Sequence, residues 1–295
     1  MARGDSMSRQ HKRATVDGPR RPARWSIVIP YYNEWNYLPS TLASLLDQDY
    51  RGFRLILVDN GSTDGSETVC RDMLRVHPDI EAIFLREPRA GKIHALECGL
   101  AFVDTEYVAF CDADTYYPPH YLSLCTHLLD HSSPHVVGAM AIDIYDASDA
   151  VWTRVRRHYH AILSRILARQ AHTGGFGQTF RTSALRTAGG YSARYWTHVL
   201  EDHEVMHRIF KIGTAPHHPD LWCRPSTRRA GRAAVRWTLI ERLLYHFVPF
   251  DLKDWFFYDF LDRRFTRRGL HNVNLREKSW ETSHRSPDST QGAVP

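Results

Sequence analysis

A chain of 295 residues with 43% hydrophobic content can bury a full core, and it fits one large α/β domain with an appendage better than two equal domains. The formal net charge is +5, yet residues 1–24 hold seven Lys or Arg against two Asp, so the excess sits in one basic arm, the body is formally neutral, and nucleic acid is not the expected partner. Five widely spaced cysteines without a C-x-x-C pair point to reduced thiols and a cytoplasmic setting; the arm lacks the apolar stretch of a signal peptide, and no window nears eighteen consecutive apolar residues.

Residues 25–30 read as a first strand, stopped at Pro30 and followed by Tyr31, Tyr32, Asn33 and Glu34. Leu38, Leu42, Leu45 and Leu46 predict a helix over about 35–47, and residues 53–58 form a second strand that ends in Asp59. The loop 60–65 leads to another helix, with Asp64 or Ser66 as the expected cap. A strand near 80–85 and a helix near 91–102 bring the chain to residues 107–111, an apolar run of buried-strand length that ends abruptly in Asp112 and Asp114. In an extended chain these two carboxylates project to one face. Such a pair either closes a strand as a solvated turn or takes a hard divalent cation that also meets a phosphate.

This alternation predicts right-handed crossovers and a mostly parallel sheet with helices on both faces. Ligands of such sheets bind at the carboxyl ends of the strands, where Glu34, Asp59, Asp112 and Asp114 would gather. Further on come a strand over 136–144, a basic helix over 150–169, a glycine-rich loop over 172–181 and a helix over 200–210 that opens with Glu201 and Asp202. Two aromatic amphipathic helices follow at 237–247 and 252–265, then a polar tail.

The motifs S-I-V-I-P-Y-Y-N-E, L-V-D-N-G-S-T-D-G-S, F-C-D-A-D-T, G-Q-T-F-R-T-S-A-L-R-T-A-G-G-Y and L-E-D-H-E-V, in this order over residues 25–212, resemble family 2 of the glycosyltransferases. The resemblance implies a GT-A type α/β fold and an inverting, non-processive transfer of a sugar from a nucleotide diphosphate donor, UDP-sugars foremost, with Mg2+ or Mn2+ as cofactor. It places donor contacts at Pro30, Tyr31, Glu34, Asp59 and Asp112, metal ligands at Asp112 and Asp114, and the general base at Asp202. Neighbours on a helix diverge by about 100°, so Glu201 would instead hold an acceptor hydroxyl or cap the helix. Gly177 and Gln178 are expected on the acceptor side, and Trp237 there or in the core. Lys92 is either a donor-phosphate contact at a helix start or a solvated lysine, and Glu97 departs from the family's usual Asn. The Q-x-x-R-W of processive members is missing, since Ala233 stands three residues before Arg236 and Trp237. The implied organisation is a basic arm (1–24), a catalytic domain (25–225) with a nucleotide-sugar half (25–115) and an acceptor half (116–225), amphipathic helices (226–271) and a polar tail (272–295).

Two other readings compete. His203 to His207 spells H-E-x-x-H, the helix signature of zinc metalloproteases, although a chain with 18 His meets that pattern by chance and Gly213 stands where one large subgroup keeps a third His. A non-catalytic carbohydrate-binding relic is disfavoured by the joint presence of Asp112, Asp114 and Asp202. Finally, Trp255, Phe256, Phe257, Phe260 and Phe265 beside Arg263, Arg264, Arg267 and Arg268 compose either a membrane-interface helix or a cover helix. The first option would seat the protein on the anionic inner face of the cytoplasmic membrane, with a lipid-linked saccharide or an envelope or exopolysaccharide precursor as acceptor.

Overall fold

The computed structural model describes residues 22–145, 150–167, 169–170, 172–227 and 237–275. The first half runs β1 (Trp25–Tyr31), α1 (Leu38–Leu46), β2 (Phe53–Asp59), α2 (Ser66–Arg75), β3 (Glu81–Arg86), α3 (Lys92–Leu100) and β4 (Tyr107–Phe110). After it come β5 (Thr115–Tyr116), α4 (Tyr121–Asp130), β6 (Gly138–Asp143), α5 (Ala150–Ile166), β7 (Gln178–Arg181), α6 (Thr182–Thr187), α7 (Glu201–Ile209), β8 (His217–Pro225) and α8 (Leu239–Phe247).

These strands form one sheet in the order β3-β2-β1-β4-β7-β6-β8-β5. The first four are parallel; β7 runs antiparallel between β4 and β6, and β8 is parallel to β6. Both β1 and β2 are buried along their whole length, as strands covered on two faces must be. Trp25, Ile27 and Ile29 pack against α1, α2 and α4 on one side, whereas Val28 and Phe110 meet Ile93 and Leu96 of α3 and Val205 and Met206 of α7 on the other. The alternation of side chains along β1 thus fixes both helical layers.

Two expectations are corrected, and one pair of alternatives is narrowed. Neither Asp64 nor Ser66 caps α2: its N-cap is Gly65 at φ 80°, where a side chain would be strained, and Asp64 instead accepts hydrogen bonds from the N–H groups of Ser66 and Trp35. The aromatic run 255–265 is mainly a cover. Phe256, Phe257 and Phe265 are fully buried against Trp196 and Tyr245, and Arg264 and Arg268 pair with the buried Glu241 of α8. The segment stays helical through a π-helical stretch, Phe256–Leu261, between short α-helical turns. The polar tail does not begin at 272, because Asn272–Leu275 is a 3-10 turn whose Asn272 is buried; residues 276–295 and most of the arm, 1–21, lie outside the described residues.

Candidate active site

Parallel register sets Tyr31 beside Asp59 and Val28 beside Phe110, so the carboxyl ends of β1, β2 and β4 open onto one edge. A cleft of about 350 Å³ lies there, a size that suits a small ligand. Pro30, Tyr31, Glu34, Lys92, Asp112, Asp114, Glu201 and Asp202 all line it, although they span most of the chain.

Asp112 follows β4 and is held by its own backbone: its N–H donates to the Tyr117 hydroxyl at 3.1 Å, and that hydroxyl donates to the Phe176 carbonyl at 2.7 Å. One tyrosine therefore ties the strand-end carboxylates to the glycine-rich loop. The Asp112 carboxylate sits 2.6 Å from Lys92 Nζ, which is also 3.7 Å from Glu201 Oε1. Burial alone would lower the Lys92 pKa, but the charges of Asp112 and Glu201 outweigh it and hold the ammonium above its ordinary value. Lys92 thus lines the cleft as an ion-paired ammonium.

Leu200 enters α7 with φ 64°, a left-handed conformation that costs a residue with a Cβ on the order of 1 kcal/mol or more. The strained turn brings both Glu201 and Asp202 to the cleft, in different directions. Glu201 faces Lys92 and Asn272, and burial pushes its carboxyl up against the opposing pull of Lys92. Asp202 Oδ1 accepts from the backbone N–H and ring Nδ1 of His203, both at 2.9 Å, while Oδ2 accepts from the Gly175 N–H at 3.0 Å. Burial would raise this carboxyl; the charge and hydrogen bond of His203, with His172 and Lys92, overcome it and hold Asp202 well below the usual carboxylate range. The His203 ring lies against His172 and Trp237, and His172 Nε2 is 2.8 Å from the Tyr245 hydroxyl.

Asn272 was invisible in the sequence. Its Oδ1 accepts from the Ile93 N–H at 3.4 Å, at the start of α3, which has no side-chain cap of its own. Its Nδ2 donates to Glu201 Oε2 at 3.2 Å, and its N–H donates to the Thr197 carbonyl. A residue from beyond the last helix therefore closes the cleft wall between α3 and α7.

Four expected residues lie elsewhere. Asp59 does not line the cleft; its carboxylate accepts from the Ser62 N–H, faces Arg86 at 3.9 Å, and leaves the adjacent Asn60 on the wall. Gly177 and Gln178 are buried structural residues, corrected from the acceptor side: a Cβ on Gly177 would stand 3.0 Å from Ala141 Cβ, and Gln178 pairs with Phe110 and donates to the Thr173 carbonyl. Gly174, Gly175 and Phe176 line the cleft in their place. Trp237 is half-buried on His203, Tyr245 and Phe256, outside the cleft wall. Its partner Arg236 lies outside the described residues.

The zinc-protease alternative fails on geometry. His203 is bound to Asp202, His207 to Asp254 at 2.6 Å, and Glu204 is a buried partner of Arg208 and of the Tyr258 hydroxyl. No group of three His, Cys, Asp or Glu side chains is placed to hold a metal among the described residues. The carboxylate pair Asp112 and Asp114 offers hard oxygens to one cleft, and that donor set fits Mg2+ or Mn2+, which takes one or two carboxylates and completes its shell with phosphate and water.

Residues 26–188 match the family model described as glycosyl transferase family 2. The uncharacterized glycosyltransferase YibD of Escherichia coli is 26% identical over 268 residues, 85% of this chain and 66% of its own length. The chain spans 16% to 66% of the length of the first three curated relatives that it matches. Among solved structures, the mannosyltransferase PcManGT from Pyrobaculum calidifontis, in complex with GDP-Man and Mn2+, aligns with a TM-score of 0.58 at 24% identity over 80% of this chain and 66% of that one. TarS of S. aureus, in complex with UDP-GlcNAc, aligns at 0.54 with 16% identity over 88% of this chain and 77% of that one. The fold is the GT-A fold of these proteins.

Proposed function

The chain belongs to glycosyl transferase family 2, and from that premise we propose that it is an inverting enzyme that moves a sugar from a UDP-sugar to a hydroxyl of a lipid-linked saccharide or an envelope or exopolysaccharide precursor. One observation carries this reading: Asp112, Asp114 and Lys92 face Glu201 and Asp202 across a single cleft that also includes Pro30, Tyr31 and Glu34. We assign the donor to the half built by residues 25–115 and the acceptor to the half that follows.

Asp112 and Asp114 would hold Mg2+ or Mn2+, which offsets the charge that develops on the departing diphosphate. Lys92 adds a fixed positive charge on the same wall. Asp202 removes the proton of the acceptor hydroxyl as that oxygen bonds to the anomeric carbon; the bond to the diphosphate breaks on the opposite side, its electron pair leaves with the diphosphate, and the configuration inverts. Oδ2 of Asp202 takes one hydrogen bond, from Gly175, and so keeps a lone pair for the incoming hydroxyl. His203 orients the carboxylate through Oδ1. Glu201, kept between Lys92 and Asn272, binds an acceptor hydroxyl. Acceptors on a lipid carrier would be met at the inner face of the cytoplasmic membrane.

The test is turnover of a panel of UDP- and GDP-sugars, read as release of nucleoside diphosphate, with Asp202→Asn alongside. The reading predicts one productive donor and a loss of roughly 100-fold or more in kcat for the variant with nucleotide affinity kept. Equal turnover by variant and parent would remove Asp202 from the role of base.

A further inference from the structure

Of eighteen large apolar side chains exposed among the described residues, twelve fall in two places, α5 with Leu167 and α8 with the turn that follows it. On α5, Val151, Val155, Tyr159, Ile162 and Ile166 recur every three or four residues and form one stripe, with Trp152 beside it at 70% exposure. A surface helix ordinarily turns such a stripe inward. Here the inward face is short of large apolar groups: Ala161 is buried, Ser164 Oγ accepts from the His217 N–H, and Arg157 donates to the Pro219 carbonyl and pairs with Asp220. The same helix carries Arg154, Arg156, Arg157 and Arg165 and no acidic residue. On α8, Leu239, Ile240, Leu243 and Phe247 repeat the pattern, and Phe247 is 79% exposed.

These surfaces adjoin. The Arg169 guanidinium lies 4.9 Å from the Phe250 ring, which ties the end of α5 to the turn after α8. Glu241 of α8 pairs with Arg264, which lines a second cleft of about 330 Å³ with Arg263, Arg267, the exposed Trp255 and Asp259, a single carboxylate 3.5 Å from Arg263. α8 reaches the active site through Tyr245, which contacts His172 and the His203 that holds Asp202, and α5 lies in sequence between Tyr145 and Gly174, both of which line the cleft.

We propose that α5, α8 and the arginine cleft are the side of the enzyme that seats on an anionic phospholipid bilayer, with apolar and aromatic side chains in the headgroup boundary and arginines on the phosphates. This extends the reading of a lipid-linked acceptor, whose hydroxyl would then reach the mouth of the cleft from the membrane surface. Within the run 255–265 it keeps the exposed Trp255 and the arginines for the membrane and leaves Phe256, Phe257 and Phe265 to the core. A second copy of the chain is the poorer occupant, since α5 would meet an identical helix of the same positive charge.

The test is flotation of the full chain with vesicles of phosphatidylcholine, with and without phosphatidylglycerol, at low and high salt. Binding should require phosphatidylglycerol, weaken with salt, and fall roughly tenfold or more in the triple variant Trp152→Ser, Ile162→Ser, Ile166→Ser, whose exposed positions leave the core intact. Asp114→Asn should float like the parent, so failure of the donor assignment would leave this result unchanged. No flotation with either vesicle, or undiminished flotation of the triple variant, would overturn the proposal. So would a dimer in solution that the triple variant converts to monomer.

Discussion

Lys92 Nζ bridges Asp112 and Glu201, at 2.6 Å and 3.7 Å from their carboxylate oxygens, so a single ammonium joins the two acidic walls of the cleft. Lys92→Met would leave the carboxylates of Asp112 and Glu201 without the ammonium between them and remove a positive charge from the donor wall. Nucleoside diphosphate affinity should drop roughly tenfold or more, measured by calorimetry, with the fold preserved by circular dichroism. Unchanged affinity would return Lys92 to a purely structural role.

Asn272→Ala removes the side-chain bonds to the Ile93 N–H and to Glu201. Thermal unfolding should report a loss of about 1 kcal/mol, and KM should rise because Glu201 loses one of its two holds. Asn272→Asp should be worse on both counts, since it sets a second carboxylate against Glu201. If both variants match the parent in stability and KM, the turn merely touches the site.

Glu204→Gln breaks a buried ion pair, Glu204 Oε1 to Arg208 Nε at 2.7 Å, and leaves the buried guanidinium charge with the neutral carbonyls of Ala188 and Gly190. Denaturant unfolding should show a loss of about 3 kcal/mol or more, while turnover per folded molecule stays near that of the parent. The opposite pattern, full stability with abolished activity and bound zinc, is what a metalloprotease would give.

Lys253 is buried, its Nζ 4.1 Å from the centroid of the Tyr245 ring, and burial lowers its pKa to about 8. In the unfolded chain it would titrate at its ordinary 10.5, so between these values the unfolded state binds more protons and stability rises with pH. Below pH 8 the folded state carries the cost of a buried charge, on the order of 3 kcal/mol. Melting temperatures from pH 7 to 10 should therefore climb for the parent relative to Lys253→Met. Parallel curves would show that Lys253 is uncharged or well solvated at pH 7.

Much of this was legible because each strand ends where its chemistry begins. The apolar run into Asp112 and Asp114 marks both β4 and the cleft, and the parallel order of β3-β2-β1-β4 follows from the strand–helix rhythm. Spacing misled where burial decided. Phe256, Phe257 and Phe265 compose well for a membrane, but their positions face Trp196 and Tyr245, whereas the outward stripe of α5 was masked by its arginines. Gly177 and Gln178 shared a motif with residues that do line the cleft, yet the strand register of Gln178 with Phe110 turns them into the core. Asn272 carried no local signal, because its role depends on a contact 71 residues away in sequence with Glu201.

The most direct test of the donor site is calorimetric titration with a panel of nucleoside diphosphates, each with and without Mn2+, on the parent and on Asp114→Asn. The account predicts that one nucleotide, UDP, binds in a Mn2+-dependent manner and that Asp114→Asn abolishes this dependence. Binding that ignores both the metal and the substitution, or no nucleotide binding under any condition, would contradict it.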